Sequence, residues 1–167
     1  MDVLTAIAAR HSTRSFSDQP LPRDVLERIV DAGRLGPTAS NVQPWEFIVV
    51  TDRERRAQLA ELASNGRFMA DAPACVAVFC KDTKYYLEDG CIASTNMLLA
   101  ATALGVESCW VAGDKKRYCE AVSRLLCVPA AYKLVSLLAF GYAKGIEDPS
   151  VKRPLSEALH WEKFRAG

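Results

Sequence analysis

The chain has 167 residues, half of them hydrophobic and a quarter charged, with a formal net charge of +1. That composition suits one well-filled domain spanning residues 1–167 and excludes a disordered chain. Near-neutrality argues against a broad nucleic-acid or membrane surface. No apolar run is long enough to span a bilayer, and Met1 to Arg10, with its early Asp2, does not read as a signal peptide, so the expected address is the cytosol.

In chain order, Asp2 is placed to cap a first helix that buries Val3, Leu4 and Ile7. Arg10-His-Ser-Thr-Arg-Ser-Phe16 follows. Two guanidiniums, with Ser12 and Thr13 as short donors beside them, suit either a phosphate cradle for a nucleotide-like cofactor or a solvated basic turn. Pro22 suits the start of a second helix with Leu26, Ile29 and Val30 on one face, punctuated by Gly33 and Gly36. Pro37-Thr-Ala-Ser-Asn-Val-Gln-Pro-Trp45 is a loop by composition. Its Asn41 and Gln43 amides donate and accept in the way a flat heteroaromatic ring requires, whereas Trp45 reads as a core anchor.

Glu46 to Thr51 is strand-like, and Asp52 caps a third helix running to about Ala63. Asn65-Gly66 breaks it, and Phe68 to Ala72 is a short segment stopped by Pro73. Cys75 to Cys80 is apolar without alternation, as in a strand covered on both faces. Glu88 to Leu104 is the longest helix, apolar nearly all round over Ile92 to Leu104, and so belongs in a core or a subunit interface. A strand over Val106 to Ala112, a more polar helix over Lys115 to Leu126 and a buried strand over Leu134 to Phe140 complete the pattern. The predicted architecture is α+β, a three-layer α/β/α sandwich on a central sheet, made mixed by connections long enough for crossovers. The tail, Tyr142 to Gly167, carries Pro149, Pro154, Trp161 and Phe164 without periodicity, and packs either on a partner subunit or on its own domain.

Six cysteines, at 75, 80, 91, 109, 119 and 127, show no C-x-x-C pair and read as free, mostly buried thiols, with Cys91 and Cys119 the ones to watch for exposure. No dinucleotide-binding glycine pattern, P-loop, nucleophile elbow or zinc-protease motif occurs. Histidine stands only at 11 and 160. An enzyme built from these residues therefore relies on a bound cofactor for its reactivity.

Taken together, the basic stretch and the proline-flanked loop resemble the FMN-dependent nitroreductase family. Arg10-His-Ser-Thr-Arg14 is close to its R-x-S-x-R/K opening, and Pro37 to Trp45 looks like its P-S-x-x-N-x-Q-P-W loop. Asp89 to Gly105 is similar to its central helix, Trp110-Val-Ala-Gly113 to its strand and turn, and Gly141-Tyr with Lys152-Arg-Pro-Leu155 to its carboxy-terminal pattern. The ordered set covers nearly the whole chain.

The resemblance implies an intertwined homodimer that binds FMN and uses NADH or NADPH as donor. Arg10, Ser12 and Arg14 would hold the phosphate and ribityl chain, with His11 contributing largely through its backbone and Lys152 or Arg153 arriving from the tail. Asn65 would meet the pyrimidine edge. Pro37, Thr38, Ala39 and Asn41 would approach the ring from the other subunit, and Ala112 and Gly113 would offer main-chain N–H groups near N5. Hydride would pass from nicotinamide to flavin, and then to a nitroaromatic, quinone or similar small acceptor in the same pocket, with no side-chain acid required. Other reductases on the same scaffold, an FMN-storage protein and a flavin-free phosphate-ligand sensor are the competing readings.

Overall fold

The computed structural model describes residues 1–145 and 150–165. Among the described residues five α-helices and four strands follow in the order α1 Val3–Ala9, α2 Arg23–Arg34, β1 Trp45–Val50, α3 Arg53–Leu62, β2 Ala74–Lys81, α4 Tyr86–Ala103, β3 Glu107–Ala112, α5 Cys119–Leu125 and β4 Tyr132–Gly141. The predicted caps form. The Asp2 carboxylate accepts from Thr5 N at 3.1 Å and Asp52 from Arg55 N at 2.8 Å, each satisfying a first-turn amide with no partner inside its helix.

The strands form one sheet in the order β1-β2-β4-β3. Residues alternate across it. Cys75, Ala77 and Phe79 of β2 join Leu59, Met69 and Val122 beneath α3 and α5. Ala74, Val76, Val78 and Cys80 join Ile29, Met97 and Leu98 beneath α2 and α4. This is the expected three-layer α+β sandwich.

The expected mixed sheet is corrected: every neighbouring pair among the described strands is antiparallel. The connection from β1 to β2 is long, but α3 carries the chain away and residues 63–73 bring it back, so Val50 ends opposite Cys75. A long connection forces parallel neighbours only when it travels one way. α4 does so, and β2 and β3 run in the same direction, but β4 inserts between them.

β4 carries an irregularity opposite Val78 and Phe79, where the pairing skips from Ser136 to Leu134. The extra residue turns both Val135 and Ser136 toward α4. Val135 packs on Gly90, where any Cβ would lie 2.6 Å from a Val135 methyl. The Ser136 and Ser94 hydroxyls share a buried hydrogen bond of 2.8 Å, and Ser94 also donates to the Gly90 carbonyl at 2.7 Å.

Two expectations about helices fail. α1 forms, but Val3, Leu4 and Ile7 are exposed and only Ala6 is buried. The expected helix over Lys115 to Leu126 begins only at Cys119, because Lys115 takes a left-handed backbone (φ 55°) that ends any helix through it. Much of the tail is bare: Val151 is 98% exposed, Trp161 68% and Phe164 78%. Pro149 lies outside the described residues. Among those described, no helix is long and apolar enough to cross a membrane.

The six cysteines are free thiols. Cys75, Cys80 and Cys109 are buried, Cys91 and Cys119 half-buried, and Cys127, on a left-handed turn (φ 56°), is the exposed one. Burial pushes the Cys75 and Cys80 thiols up to about 12 from the ordinary 9.0, and Asp89 adds to the effect at Cys80. Alkylation of the native protein should label Cys127 first and leave Cys75 and Cys80 untouched, as read by mass spectrometry. Folded Cys75 and Cys80 keep protons that the unfolded chain releases above its ordinary thiol pKa. Stability should therefore fall between about pH 9 and about pH 12, by up to ~1.4 kcal/mol per pH unit for each thiol. Urea unfolding at stepped alkaline pH measures that slope.

Candidate cofactor site

A cleft of about 410 Å3 opens along the outer edge of β3. Arg14, Asn65 and Ala112 line it, with Phe68, Trp110 and Tyr118 as aromatic walls. The Arg14 guanidinium sits 6.0 Å from the centre of the Phe68 ring, within reach of a cation–π contact.

Each wall is held from behind. Thr13 is fully buried and pairs with the edge of β3, its N–H donating to the Ser108 carbonyl at 3.0 Å. Its hydroxyl donates to Glu107 Oε2 at 3.0 Å, so it is not a donor toward a ligand as the sequence suggested. The His11 ring folds into the same cluster, with Nδ1 3.1 Å from the Ala9 carbonyl and Nε2 3.3 Å from Thr13 Oγ1 and 3.5 Å from Glu107. The imidazole is thus engaged within the chain. Arg10 closes α1 through its main-chain N–H, which donates to the Ala6 carbonyl at 3.0 Å.

The segment carrying Asn65 and Phe68 is clamped by Arg56, a residue that nothing in its sequence context singles out. This buried guanidinium donates to the carbonyls of Ala70 (2.8 Å), Ala72 and Thr51 (3.3 Å). A buried cation satisfied by three carbonyls fixes the short turn Arg67–Ala70 against α3.

At the end of β3 the two predicted N–H donors separate. The Gly113 N–H donates to the Val135 carbonyl at 3.0 Å, so it faces inward and is unavailable to a ligand. Antiparallel alternation turns the preceding amide, that of Ala112, to the open edge. Tyr118 closes this corner by donating its hydroxyl to the Ala112 carbonyl. Gly113 is glycine for packing: a Cβ there would lie 2.8 Å from the Val135 carbonyl carbon and oxygen. Gly113→Ala should destabilise the fold by about 1–3 kcal/mol in urea titration, because the obstacle is backbone.

Lys116 and Arg117 also line the cleft. The signal for them was the run Lys115-Lys-Arg117 immediately after the strand-ending Ala112-Gly-Asp114.

Pro37, Thr38, Ala39 and Asn41 do not line this cleft. Their loop is pinned elsewhere on the same chain, by Ala39 N–H donating to Asp89 Oδ1 at 2.9 Å near the start of α4. It is internally braced. Gln43 N–H donates to Thr38 Oγ1 at 3.1 Å, and the Gln43 side-chain amide donates to Asn41 Oδ1 at 3.1 Å. Ser40, Asn41 and Gln43 all have left-handed backbone. Ser12 is half-buried, and Lys152 and Arg153 are exposed in the tail. Trp45 stacks on Phe47 at 5.5 Å on the α2 side of the sheet, as a wall of the inner core and not of the cleft.

Comparison with known proteins identifies the family and the fold. The Nitroreductase family profile matches residues 7–83 and 64–142. A Methanothermobacter thermautotrophicus protein, provisionally named an NADH dehydrogenase/NAD(P)H nitroreductase, is 33% identical over 171 residues, covering 98% of this chain and 88% of its own. An Archaeoglobus fulgidus protein of the same name is 34% identical over 173 residues, covering 98% and 99%. Among solved structures, an FMN-dependent nitroreductase from Clostridium difficile superposes with a TM-score of 0.91 at 24% identity, covering 96% of this chain and 99% of its own, a likeness of fold. With a profile match running through both strand edges and the central helix, and full-length relatives at one-third identity, the chain belongs to the nitroreductase family.

Proposed function

We propose that the protein is an FMN-dependent NAD(P)H oxidoreductase acting as a homodimer, with nitroaromatic, quinone or similar small acceptors reduced in turn in one pocket. The observation that carries this reading is the β3-edge cleft. There a guanidinium (Arg14), a side-chain amide (Asn65) and an outward main-chain N–H (Ala112) converge between aromatic walls. A flat ring with alternating carbonyl and N–H groups matches that donor set. Bound there, FMN supplies the two-electron chemistry that the protein's own side chains lack.

In this reading Arg10, Ser12 and Arg14 bind the anionic end of the cofactor, joined by Lys152 or Arg153 from the tail. Asn65 and the Ala112 N–H orient the ring. Phe68, Trp110 and Tyr118 exclude water from its edge. The loop from Pro37 to Asn41 completes the pocket of a second protomer, which accounts for its being braced yet remote from its own cleft. Exposed Val3, Leu4 and Ile7, together with the bare tail, favour pairing of two copies.

An absorbance spectrum of the purified protein, followed by acceptor screening with each nicotinamide, tests the proposal. A flavin band and turnover with NADH or NADPH are expected. A colourless protein that takes up no added FMN would sink it, and bound flavin without turnover would point to storage.

A further inference from the structure

A second cleft, of about 780 Å3, adjoins the first. Lys116 and Arg117 line both, so the two are contiguous around one short segment. Five cationic side chains bound the second cleft, Lys115, Lys116, Arg117, Arg124 and Lys133, against two carboxylates, Asp114 and Glu120. In a chain of net charge +1 this is a local concentration of positive charge.

The carboxylates do little to quench it. Asp114 accepts a hydrogen bond from the Tyr86 hydroxyl at 2.5 Å and lies 3.9 Å from Lys115. Arg124 meets Glu120 at 3.7 Å, and Lys133 meets Asp82, outside the cleft, at 3.4 Å. The Arg124–Glu120 and Lys133–Asp82 pairs are long and solvent-exposed, of the kind that contribute little, whereas Asp114 is largely buried and turned to Tyr86. Among the described residues neither Lys116 nor Arg117 has an ion-pair partner. The left-handed turn at Lys115 packs three consecutive cations into one bend. Guanidiniums offer forked donors to phosphate and ammonium groups a point charge, while the half-buried Tyr132 ring supplies a flat wall for a base.

On the reading that a nicotinamide dinucleotide reaches the flavin cleft, we propose that this second cleft receives the adenosine 2′,5′-bisphosphate half of NADPH, making NADPH the preferred donor over NADH. The discriminating group is the 2′-phosphate, which NADH lacks.

The test is calorimetric titration of the protein as purified with adenosine 2′,5′-bisphosphate, 5′-AMP and inorganic pyrophosphate. It is repeated on the triple variant Lys115→Gln, Arg124→Gln, Lys133→Gln, whose side chains line the second cleft and not the first. The bisphosphate is expected to bind about tenfold or more tighter than either comparator. The variant should lose that preference and show a KM for NADPH raised by about tenfold, while its flavin absorbance is retained. Bisphosphate binding no tighter than 5′-AMP would overturn the proposal, as would equal binding of pyrophosphate, which marks an unspecific anion patch, or a preference that survives in the variant. The titration reads the adenosine site whether or not flavin is bound. A colourless protein that still selects the bisphosphate therefore refutes the flavin reading alone.

Discussion

The Arg10→Ala/Arg14→Ala double variant is expected to fold normally and to purify without flavin. Hydrogen bonds to a charged group each contribute about 1.5–3 kcal/mol, so removing two guanidiniums from a phosphate-bearing ligand should weaken its binding by about 10²–10⁴-fold. The fold should survive. The structural bond of Arg10 is made by its main chain to Ala6, which alanine keeps. Arg14 is exposed and meets the Phe68 ring from the solvent side of the cleft. Thr13→Val is the informative contrast. It removes a buried hydroxyl that donates to Glu107, leaves the carboxylate short of a partner, and should cost about 1–3 kcal/mol of stability. Flavin fluorescence on dilution and thermal melts separate the two outcomes. Unchanged flavin affinity in the double arginine variant would remove the basis for the cofactor assignment.

Ending the chain after Ser150 should produce a protein that is monomeric and flavin-free. The deleted stretch carries Val151, Leu155, Trp161 and Phe164, all exposed on the single chain, and four cations, among them Lys152 and Arg153. Side chains of this size contribute roughly 1.5–3 kcal/mol each when removed from water, so they are expensive to leave bare and strongly favourable to seat on a partner. The Leu4→Asp/Ile7→Asp variant attacks the other uncovered face, on α1, without touching the tail. Sedimentation at micromolar concentration should find both variants as single protomers, the truncated one with its flavin lost as well. A truncated protein that still sediments as a dimer would show that pairing does not depend on the tail.

Much of the fold was legible because local chemistry decides it. Asp2 and Asp52 cap the helices that follow them, and the short β-branched and apolar run Cys75 to Cys80 reads as a strand covered on both faces, as found. Sheet direction was not legible. The residues between β1 and β2 are numerous enough for a crossover, and nothing in their types reveals that α3 and the segment after it go out and return. The late start of α5 was hidden because Lys115 has good intrinsic helix propensity and its left-handed backbone is imposed by the turn leaving β3.

At the site, the residue types were visible but their orientations were not. Thr13 looks like a ligand donor in a polar stretch, yet Glu107, 94 residues away, draws it inward together with the His11 ring. Ala112 and Gly113 are adjacent amides, and only the pairing of β3 with β4 determines which one faces out. Arg56 reads as one of several surface charges on α3 until the carbonyls of Ala70 and Ala72 appear beneath it.

β1 forms one outer margin of the sheet, and beside it runs an apolar groove of about 720 Å3 bounded by Leu26, Val30, Trp45, Phe47 and Val49. The single chain therefore offers other chains a row of main-chain donors and acceptors along β1, unused among the described residues and flanked by apolar side chains. Rapid overproduction should drive much of the material into inclusion bodies, and slower synthesis at low temperature should recover it as clear solution.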